Sequence, residues 1–434
     1  MTISLAADTL RVSGINPLRG HLELPGDKGI SHRALILAAC ADGESLIENL
    51  ATGQDVEQTR VVLGGLGVSV TDVGHAKVKV SGKGLDALVA PSAALDCGNS
   101  GSTMRMMAGL LAGRKFRSVL DGDDSLRQRP MARVIDPLRL LGAQISGAED
   151  DNRAPLKIDG SPLVGTAVQI AVASGQVKSA CLFAGLQAEG TTTVSEPSPS
   201  RDHTERLLDA LGLPVERVDA TTTRIRAGVV SPFNLCVPGD ISSAAFLIVA
   251  ALITPGSQIT ITGVGLNPLR TLFIEHLRAM GGQIEIEEND MHLGEPVGTI
   301  RVSASALRGT TIVASEGMID EIPVLAVAAA FSDGDTEFLN VGELRVKESD
   351  RIATLIGELS KLGINLESTG DQLSVYGGKP KSGEVESRGD HRLALALAVA
   401  ANAIEGETAI SGWSAADVSY PNFSVDLQKL TAEN

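Results

Sequence analysis

Six stretches of the chain are apolar on every side when they are read with helical spacing, as in SHRALILAAC, and each is followed by a glycine and a strand-like run. A helix without a polar stripe belongs inside a protein. The glycines recur at intervals of 66 to 78 residues, and a glycine just past a helix is a common stop signal. We therefore predict six buried helices that end at Gly43, Gly113, Gly190, Gly256, Gly334 and Gly406.

Amphipathic segments lie between the apolar ones and lead into stretches in which apolar and polar residues alternate. The segment DVEQTRVVLGGLG has the spacing of a half-buried helix, whereas VSVTDVGHAKVKVSG has the period of two that is typical of a strand exposed on one face. Each repeat is therefore predicted to contain a strand, a buried helix, a strand, an amphipathic helix and further strands.

The six repeats divide into two groups of three, because residues 25–27 and 238–240 both read Pro-Gly-Asp before an apolar segment. The chain length also favours two domains. We predict an α/β fold of two inside-out globules, each with three βαβαββ-like repeats, parallel buried helices and outer sheets. One globule comprises residues 19–236 and the other residues 1–18 and 237–434, with the active site in a cleft between them.

Composition narrows the classes of function. The chain has 434 residues, a formal net charge of −16 and only 3% aromatic residues. Nucleic acid is excluded as a general partner, because phosphate backbones require basic surfaces and aromatic stacking platforms. The four cysteines lack metal-binding or disulfide spacing and are expected to be reduced and mostly buried. With no signal-peptide pattern and no apolar run as long as a membrane span, we expect a soluble cytoplasmic protein without a membrane partner.

Cationic and polar side chains cluster at the predicted starts of the apolar helices and in nearby loops. A helix N-terminus leaves unpaired N–H groups and a partial positive charge, which together attract anions. For any single arginine a solvated or ion-paired surface position is the better interpretation, but several at equivalent points of a repeat favour ligand binding. Without a P-loop or a GxGxxG motif, small anionic substrates are favoured over ATP or NAD. These residues are Lys28, Arg33, Arg105, Ser174, Gln176, Lys178 and Arg392 at helix starts, and Arg129, Arg201, Arg345, Lys347 and Arg351 in loops.

Nine recognisable motifs spread over nearly the full length of the chain; they are PGDKGISHRAL, DCGNSGSTMR, SLRQRPM, SGQVKSA, SRDHTER, VPGDISSAAF, IDEIPVLA, ELRVKESDRI and GDHRLALA. Together they give the chain a resemblance to the 3-phosphoshikimate 1-carboxyvinyltransferases, the EPSP synthase family. The resemblance implies transfer of the enolpyruvyl group from phosphoenolpyruvate to the 5-hydroxyl of shikimate 3-phosphate, with release of phosphate. It implies these two small molecules as partners, no metal or organic cofactor, and a monomer.

The resemblance also implies roles for individual residues. Asp320 and Glu348 are the implied acid–base pair. Lys28 is implied to contact both substrates and is counted, with Asp320 and Glu348, as a catalytic residue. The residues implied to bind shikimate 3-phosphate, besides Lys28, are Gly29, Arg33, Ser174, Gly175, Gln176, Arg201, Asp320 and Lys347. Those implied to bind phosphoenolpyruvate, besides Lys28, are Gly101, Arg129, Gln176, Arg351 and Arg392.

The implied reaction explains these residue types. The methylene of phosphoenolpyruvate must gain a proton, the attacking hydroxyl must lose one, and the adduct must lose a methyl proton together with phosphate. Such steps need groups that donate and accept protons at hydrogen-bond distance, and the anionic groups suit the forked donors of arginine. Without the resemblance, Asp320 would be interpreted as an N-cap and Glu348 as the partner of Arg351 in a surface ion pair.

Three positions depart from the family pattern. Gly29 stands where the family usually has a serine that contacts the shikimate phosphate, and Gly175 stands where serine or alanine is common. Ser419 replaces a lysine that approaches phosphoenolpyruvate in some members. Gly101, by contrast, matches the members that are sensitive to glyphosate, an inhibitor that occupies the phosphoenolpyruvate site, so the resemblance implies a glyphosate target.

Two other functions stay open at the level of sequence. The sister enolpyruvyl transferase that acts on UDP-N-acetylglucosamine carries a reactive cysteine in the loop of the second repeat, but LDGDDSLRQRPM has none, and Cys97 is interpreted as a packing residue. A non-catalytic paralogue that only binds a phosphorylated ring would explain Gly29. The presence of Lys28, Asp320, Glu348 and all the arginines argues against it.

Overall fold

The structure is a computed structural model that describes residues 2–432. Its helices are α1 (Lys28–Cys40), α2 (Gln54–Gly65), α3 (Gly101–Ala112), α4 (Asp124–Arg127), α5 (Ala132–Leu140), α6 (Ala148–Asp151), α7 (Gly175–Gly185), α8 (His203–Ala210), α9 (Ile241–Ile253), α10 (Leu272–Ala279), α11 (Ile322–Ala330), α12 (Arg351–Lys361), α13 (His391–Asn402) and α14 (Phe423–Ala432). Four 3-10 segments are Leu85–Ala87, Glu316–Glu321, Gly342–Val346 and Trp413–Val418.

The strands are short and number 24 within the described residues. They are β1 (Thr2–Ala6), β2 (Thr9–Ser13), β3 (Arg19–Glu23), β4 (Asp42–Glu48), β5 (Ser69–Gly74), β6 (Lys77–Lys83), β7 (Leu95–Asp96), β8 (Arg117–Asp121), β9 (Gln144–Gly147), β10 (Arg153–Asp159), β11 (Ala167–Gln169), β12 (Thr191–Ser195), β13 (Val215–Arg217), β14 (Thr222–Arg226), β15 (Asn234–Cys236), β16 (Gln258–Gly265), β17 (Gln283–His292), β18 (Glu295–Ser303), β19 (Thr311–Val313), β20 (Thr336–Leu339), β21 (Asn365–Thr369), β22 (Gln372–Tyr376), β23 (Glu384–Glu386) and β24 (Glu407–Ser411).

All six sheets among these residues have four strands and one topology. In each, an edge strand pairs in parallel with the second strand, which is antiparallel to the third. This common topology confirms the predicted α/β repeat. The strand orders are β23-β24-β2-β1, β7-β8-β10-β9, β11-β12-β14-β13, β15-β4-β6-β5, β3-β16-β18-β17 and β19-β20-β22-β21.

One apolar helix per repeat is buried, as the sequence predicts. Every residue of α9 and α13 is buried, and in α1 the only partly exposed residues are the first two. The predicted stops are correct only for Gly113, which is the C-cap of α3. The other five glycines lie beyond the helix and have positive φ, a conformation open to glycine because it has no Cβ. Gly43 is within strand β4, and the rest lie in or next to the turn into the following strand; these are Gly190, Gly256, Gly334 and Gly406.

The chain forms two compact units. Unit 1 comprises the chain up to Leu24, Gly239–Asp290 and the chain from Pro296, and unit 2 comprises Pro25–Pro238 and Met291–Glu295. The boundary expected at residue 18 is therefore wrong by six residues, because β3 pairs in parallel with β16 of unit 1. The turn between β17 and β18 was not expected in unit 2. Residues 1, 433 and 434 of the predicted first globule lie outside the described residues.

Each unit has its own apolar core. In unit 2 the core surrounds α1, α3 and α7, and in unit 1 it surrounds α9, α11 and α13. Cys40, Cys97 and Cys181 are buried and Cys236 is exposed, as the sequence predicts for mostly buried thiols. Burial raises the pKa of Cys40 and Cys181 to about 12, so these thiols stay protonated and act as packing groups. None of the described helices is both long and apolar enough to cross a bilayer.

Candidate active site

Three buried helices of unit 2 begin with a polar cap. The side chains of Asp27, Ser100 and Ser174 accept hydrogen bonds from backbone N–H groups in the first turns of α1, α3 and α7. Such caps satisfy only some of the free donors at a helix start, and the remaining N–H groups and the helix dipole favour an anion there. The sequence-predicted ligands of unit 2 lie at or near these starts.

Lys28 is the first residue of α1, and its position is fixed by an acidic partner. Lys28 Nζ donates to Asp55 Oδ2 at 2.7 Å, and both side chains are largely buried. Asp55 lies in the first turn of α2. The ion pair holds the ammonium group of Lys28 against α2.

Two arginine side chains lie close to the first residue of α3. A Cβ added to Gly101 would lie 3.3 Å from the Nη1 atoms of both Arg105 and Arg129. Arg105 Nη1 donates to Gln176 Oε1 at 2.7 Å, while Arg129 Nη2 donates to Asn99 Oδ1. The structure thus brings Gly101, Arg129 and Gln176 together from three separate motifs, and adds Arg105, which the sequence placed at a helix start without a specific role. Two cations beside a helix N-terminus form an anion-binding environment.

Arg33 joins three helices of the same unit. Its guanidinium group donates to the carbonyl oxygens of Gly29 at 2.7 Å and Gly175 at 3.1 Å, and to the hydroxyls of Ser179 at 2.8 Å and Thr204 at 2.6 Å. Burial lowers the pKa of Arg33 to about 10, so it remains charged at neutral pH. Its donors are engaged mainly by the protein, and it therefore fixes the starts of α1 and α7 relative to α8.

Gly175 lies in close contact with Arg201. A Cβ added to Gly175 would lie 3.1 Å from both the Cβ and the carbonyl oxygen of Arg201, closer than most real contacts of this kind. The segment that carries Arg201 therefore packs directly on the first turn of α7. From the sequence alone, Gly175 was only a departure from the family pattern. The structure shows that Arg201 occupies the space where a side chain at position 175 would begin.

In unit 1, the two predicted acid–base residues share one arginine. Arg351 donates from Nη1 to Asp320 Oδ1 at 3.2 Å and from Nη2 to Glu348 Oε2 at 2.5 Å. Its Nε donates to Asp390 Oδ2 at 2.8 Å. Burial disfavours the charged form of Arg351, but the carboxylates of Asp390, Glu348 and Asp320 outweigh burial and raise its pKa above the ordinary value. Three carboxylates therefore share one guanidinium group, which fixes their positions relative to one another.

Lys347 and Arg392 complete the predicted set in unit 1. Lys347 Nζ lies 3.8 Å from Asp320 Oδ1. Arg392 is in the first turn of α13, where its backbone N–H donates to Asp390 Oδ1 at 2.9 Å and its guanidinium group lies 5.9 Å from the ring centroid of Phe246. The same Asp390 therefore positions both Arg351 and the start of the helix that carries Arg392.

The structure contradicts the two simpler interpretations, in which Asp320 is a helix N-cap and Glu348 belongs to a surface ion pair. Asp320 is not the N-cap of α11, because that position belongs to Glu321. Glu348 does pair with Arg351, but the arginine side chain is only 2% exposed, so the pair is not a surface ion pair. Sequence reasoning missed the fixing partners Asp55 and Asp390, and the signal that could have found Asp390 is its N-cap place just before Arg392.

The six-repeat architecture is shared with enolpyruvyl transferases of known structure. The enolpyruvyl transferase NikO from Streptomyces tendae matches with a TM-score of 0.79 over 97% of both chains, at 19% sequence identity, which is a likeness of fold alone. EPSP synthase from Acinetobacter baumannii matches with a TM-score of 0.85 at 38% identity, over 97% of this chain and 98% of that chain.

Sequence comparison identifies the family. The family description EPSP synthase (3-phosphoshikimate 1-carboxyvinyltransferase) matches residues 12–427. A 3-phosphoshikimate 1-carboxyvinyltransferase of Synechococcus sp. is 46% identical over 436 residues, covering 99% of this chain and 98% of that protein. One from Thermus thermophilus is 46% identical over 431 residues, covering 98% and 99%. The chain belongs to the EPSP synthase family, which confirms the resemblance found in the sequence.

Proposed function

We propose that Lys28, Asp320 and Glu348 carry out, in this chain, the reaction of its family. That reaction transfers the enolpyruvyl group from phosphoenolpyruvate to the 5-hydroxyl of shikimate 3-phosphate and releases phosphate. The observation that supports these roles most directly is the sharing of Arg351 by Asp320 and Glu348. One rigid guanidinium group orients two carboxylates, as acid–base catalysis at hydrogen-bond distance requires.

In this proposal the two carboxylates and Lys28 move the protons. The methylene carbon of phosphoenolpyruvate gains a proton, its neighbouring carbon becomes electrophilic, and the 5-hydroxyl attacks that carbon as it loses its own proton. The tetrahedral adduct then loses a methyl proton and phosphate. The proton that the methylene carbon gains during addition is removed again during elimination, so the same side chains act as acid and as base.

The binding groups divide by location. Gly29, Arg33, Ser174, Gly175 and Arg201 lie together at the starts of α1 and α7, and with Gln176, Lys28, Asp320 and Lys347 they are the proposed contacts of shikimate 3-phosphate. Gly101, Arg129 and Gln176 lie together at the start of α3, and with Lys28, Arg351 and Arg392 they are the proposed contacts of phosphoenolpyruvate. The proposal therefore requires residues of both units to act on the same substrates. It includes a monomer in the cytoplasm that uses no metal or organic cofactor, since side chains supply every proton and every counter-charge.

The test is a phosphate-release assay on the full chain. Release that requires both phosphoenolpyruvate and shikimate 3-phosphate, and that persists in the presence of EDTA, supports the proposal. Release with UDP-N-acetylglucosamine in place of shikimate 3-phosphate would assign the chain to the sister reaction instead. Binding of shikimate 3-phosphate without any release would overturn the catalytic roles.

Gly29→Ser is expected to lower KM for shikimate 3-phosphate several-fold relative to Gly29→Ala, with little change in KM for phosphoenolpyruvate. A hydrogen bond to a charged group is worth about 1.5–3 kcal/mol, and a water that bridged the same gap in the alanine variant would recover part of it. The alanine variant is the matched control, because a Cβ at this position lies 3.1 Å from Asp27 Oδ1, the oxygen that caps α1. Steady-state kinetics with each substrate varied makes the comparison, and equal KM values in the two variants would contradict it.

Gly101→Ala is expected to raise both the inhibition constant of glyphosate and KM for phosphoenolpyruvate. The added methyl group would press on the Nη1 atoms of Arg105 and Arg129 and displace the cations that hold these anions. Gly64→Ala is the matched control, because its Cβ meets nothing within 4 Å. The prediction fails if the inhibition constant stays at the wild-type value, or if Gly64→Ala changes it equally.

A further inference from the structure

A buried lysine outside the proposed catalytic set lies one turn into α7. Lys178 Nζ lies 2.7 Å from Glu196 Oε1, 2.8 Å from Glu205 Oε1 and 3.4 Å from the carbonyl oxygen of Ser200. An ammonium group has three N–H donors, so each has a protein acceptor. The side chain of Lys178 is 5% exposed, and the two carboxylates are 1% and 2% exposed. With its donors engaged and its charge buried, Lys178 is not available to bind a substrate itself.

The lysine fixes the segment between β12 and α8. Glu196 Oε1 accepts a second hydrogen bond, from the backbone N–H of Ser200 at 3.0 Å, so both the N–H and the carbonyl of Ser200 are held by the Lys178–Glu196 pair. Arg201 is the next residue. Its backbone packs against Gly175, where no Cβ could be added without displacement. Lys178 and Glu196 thus hold the residue before Arg201, while Arg201 itself packs closely on Gly175 in the first turn of α7.

Charge balance shows that Lys178 stays protonated in this place. Burial acts to lower the pKa of Lys178, but the carboxylates of Glu205 and Glu196 outweigh it and raise the pKa. An apolar side chain of similar volume would fill this interior without the cost of taking three charges out of water. The cluster supplies what an apolar residue cannot, which is directed hydrogen bonds: two to the segment between β12 and α8, at Glu196 and Ser200, and one to Glu205 in α8.

We propose that Lys178 is a positioning residue, which sets Arg201 for binding of the phosphorylated substrate through the Glu196, Ser200 and Glu205 contacts. This inference rests on the proposed function, because Arg201 is a proposed contact of shikimate 3-phosphate. A purely structural lysine would support the stability of unit 2 alone and leave substrate affinity unchanged. A positioning role therefore predicts a higher KM for shikimate 3-phosphate and an unchanged KM for phosphoenolpyruvate, whereas a structural role predicts that neither KM changes.

The experiment compares Lys178→Met with wild type by calorimetric titration of shikimate 3-phosphate and by steady-state kinetics. A misplaced arginine loses a charge-assisted contact, so we expect shikimate 3-phosphate to bind about ten- to a hundredfold more weakly, with KM for phosphoenolpyruvate changed less than about twofold. Since Lys178→Met leaves two buried carboxylates without their cation and can unfold the protein, the triple variant Lys178→Met, Glu196→Gln, Glu205→Gln is measured in parallel. It removes all three charges and keeps the side-chain volumes.

A double-mutant cycle tests whether the effect passes through Arg201. If it does, adding Lys178→Met to Arg201→Met weakens shikimate 3-phosphate binding no further, because the contact is already lost. Val80→Ala, a buried substitution in β6 of the same unit, is the control for lost stability and is expected to lower Tm without changing either KM. Full additivity in the cycle, or an unchanged affinity in a folded Lys178 variant, would overturn the inference. A wild-type protein that binds no shikimate 3-phosphate would instead overturn the proposed function.

Discussion

Glu348→Gln is expected to lower kcat by about 10²- to 10⁴-fold, the usual contribution of a general acid or base. The amide keeps an oxygen that can accept the hydrogen bond from Arg351 Nη2, so the side chain stays in place but no longer exchanges protons. Because the fold and the binding groups are retained, KM for both substrates should change much less than kcat. Asp320→Asn is expected to reduce kcat similarly but also to raise KM for shikimate 3-phosphate, which Asp320 is proposed to contact.

The measurement is phosphate release at saturating concentrations of both substrates. Glu384→Gln, the same chemical change at an exposed position of β23, is the matched control and should have wild-type kcat. A Glu348→Gln protein with more than a tenth of the wild-type rate would show that Glu348 does not transfer a proton in the slow step. A rise in KM as large as the fall in kcat would indicate that Glu348 binds substrate and does not transfer a proton.

Arg351→Met is expected to have the largest effect on stability. Removing one partner from a buried ion pair typically costs about 3–5 kcal/mol, because the remaining charges are left without compensation. Asp390 is fully buried, and Ser349 Oγ is its other side-chain partner, at 3.0 Å. Activity should be lost as well, since Asp320 and Glu348 are no longer oriented by one guanidinium group.

Urea unfolding followed by tryptophan fluorescence measures this change, because the only tryptophan of the chain, Trp413, is buried in the core of unit 1. Adding Asp390→Asn to Arg351→Met removes the one fully buried carboxylate charge among the three partners of Arg351, and it should restore part of the stability but none of the activity. Arg301→Met is the control: its half-exposed pair with Glu287 should contribute at most about 1 kcal/mol. A loss for Arg351→Met no larger than that of the control would mean that water already solvates the carboxylates.

The sequence predicts most of the fold because its strongest signals are local. Six apolar helices of similar spacing reveal the repeat, and the alternating segments reveal the sheets. The boundary at residue 18 was wrong because β3 carries the same alternating pattern as the other strands, and its sheet is decided by pairing with β16, more than two hundred residues away. Parallel pairing of distant strands leaves no mark in either strand alone.

The candidate site, like the fold, could be predicted from the sequence only in part. Motifs predicted the candidate cations and the proposed acid pair, because each occurs in a short recognisable run. The partners that hold them were missed: Asp55 pairs with Lys28 and Asp390 with Arg351, at separations of 27 and 39 residues. Gly175 was interpreted only as a departure from the family pattern, because the sequence does not reveal that Arg201 occupies the space beside it. Packing between segments, and not local pattern, decides such positions.

The pairing of β2 with β24 has a consequence for synthesis of the protein on the ribosome. Arg11 and Glu407, which form an ion pair across these strands, are 396 residues apart. At about 5–20 residues per second, the first strands wait roughly 20–80 s before their partner emerges from the ribosome. Unit 2, by contrast, is nearly continuous in the chain between Pro25 and Pro238, so its core can assemble while unit 1 still lacks a sheet. Folding should therefore proceed from the middle of the chain outward, with the N-terminal strands the last to be enclosed.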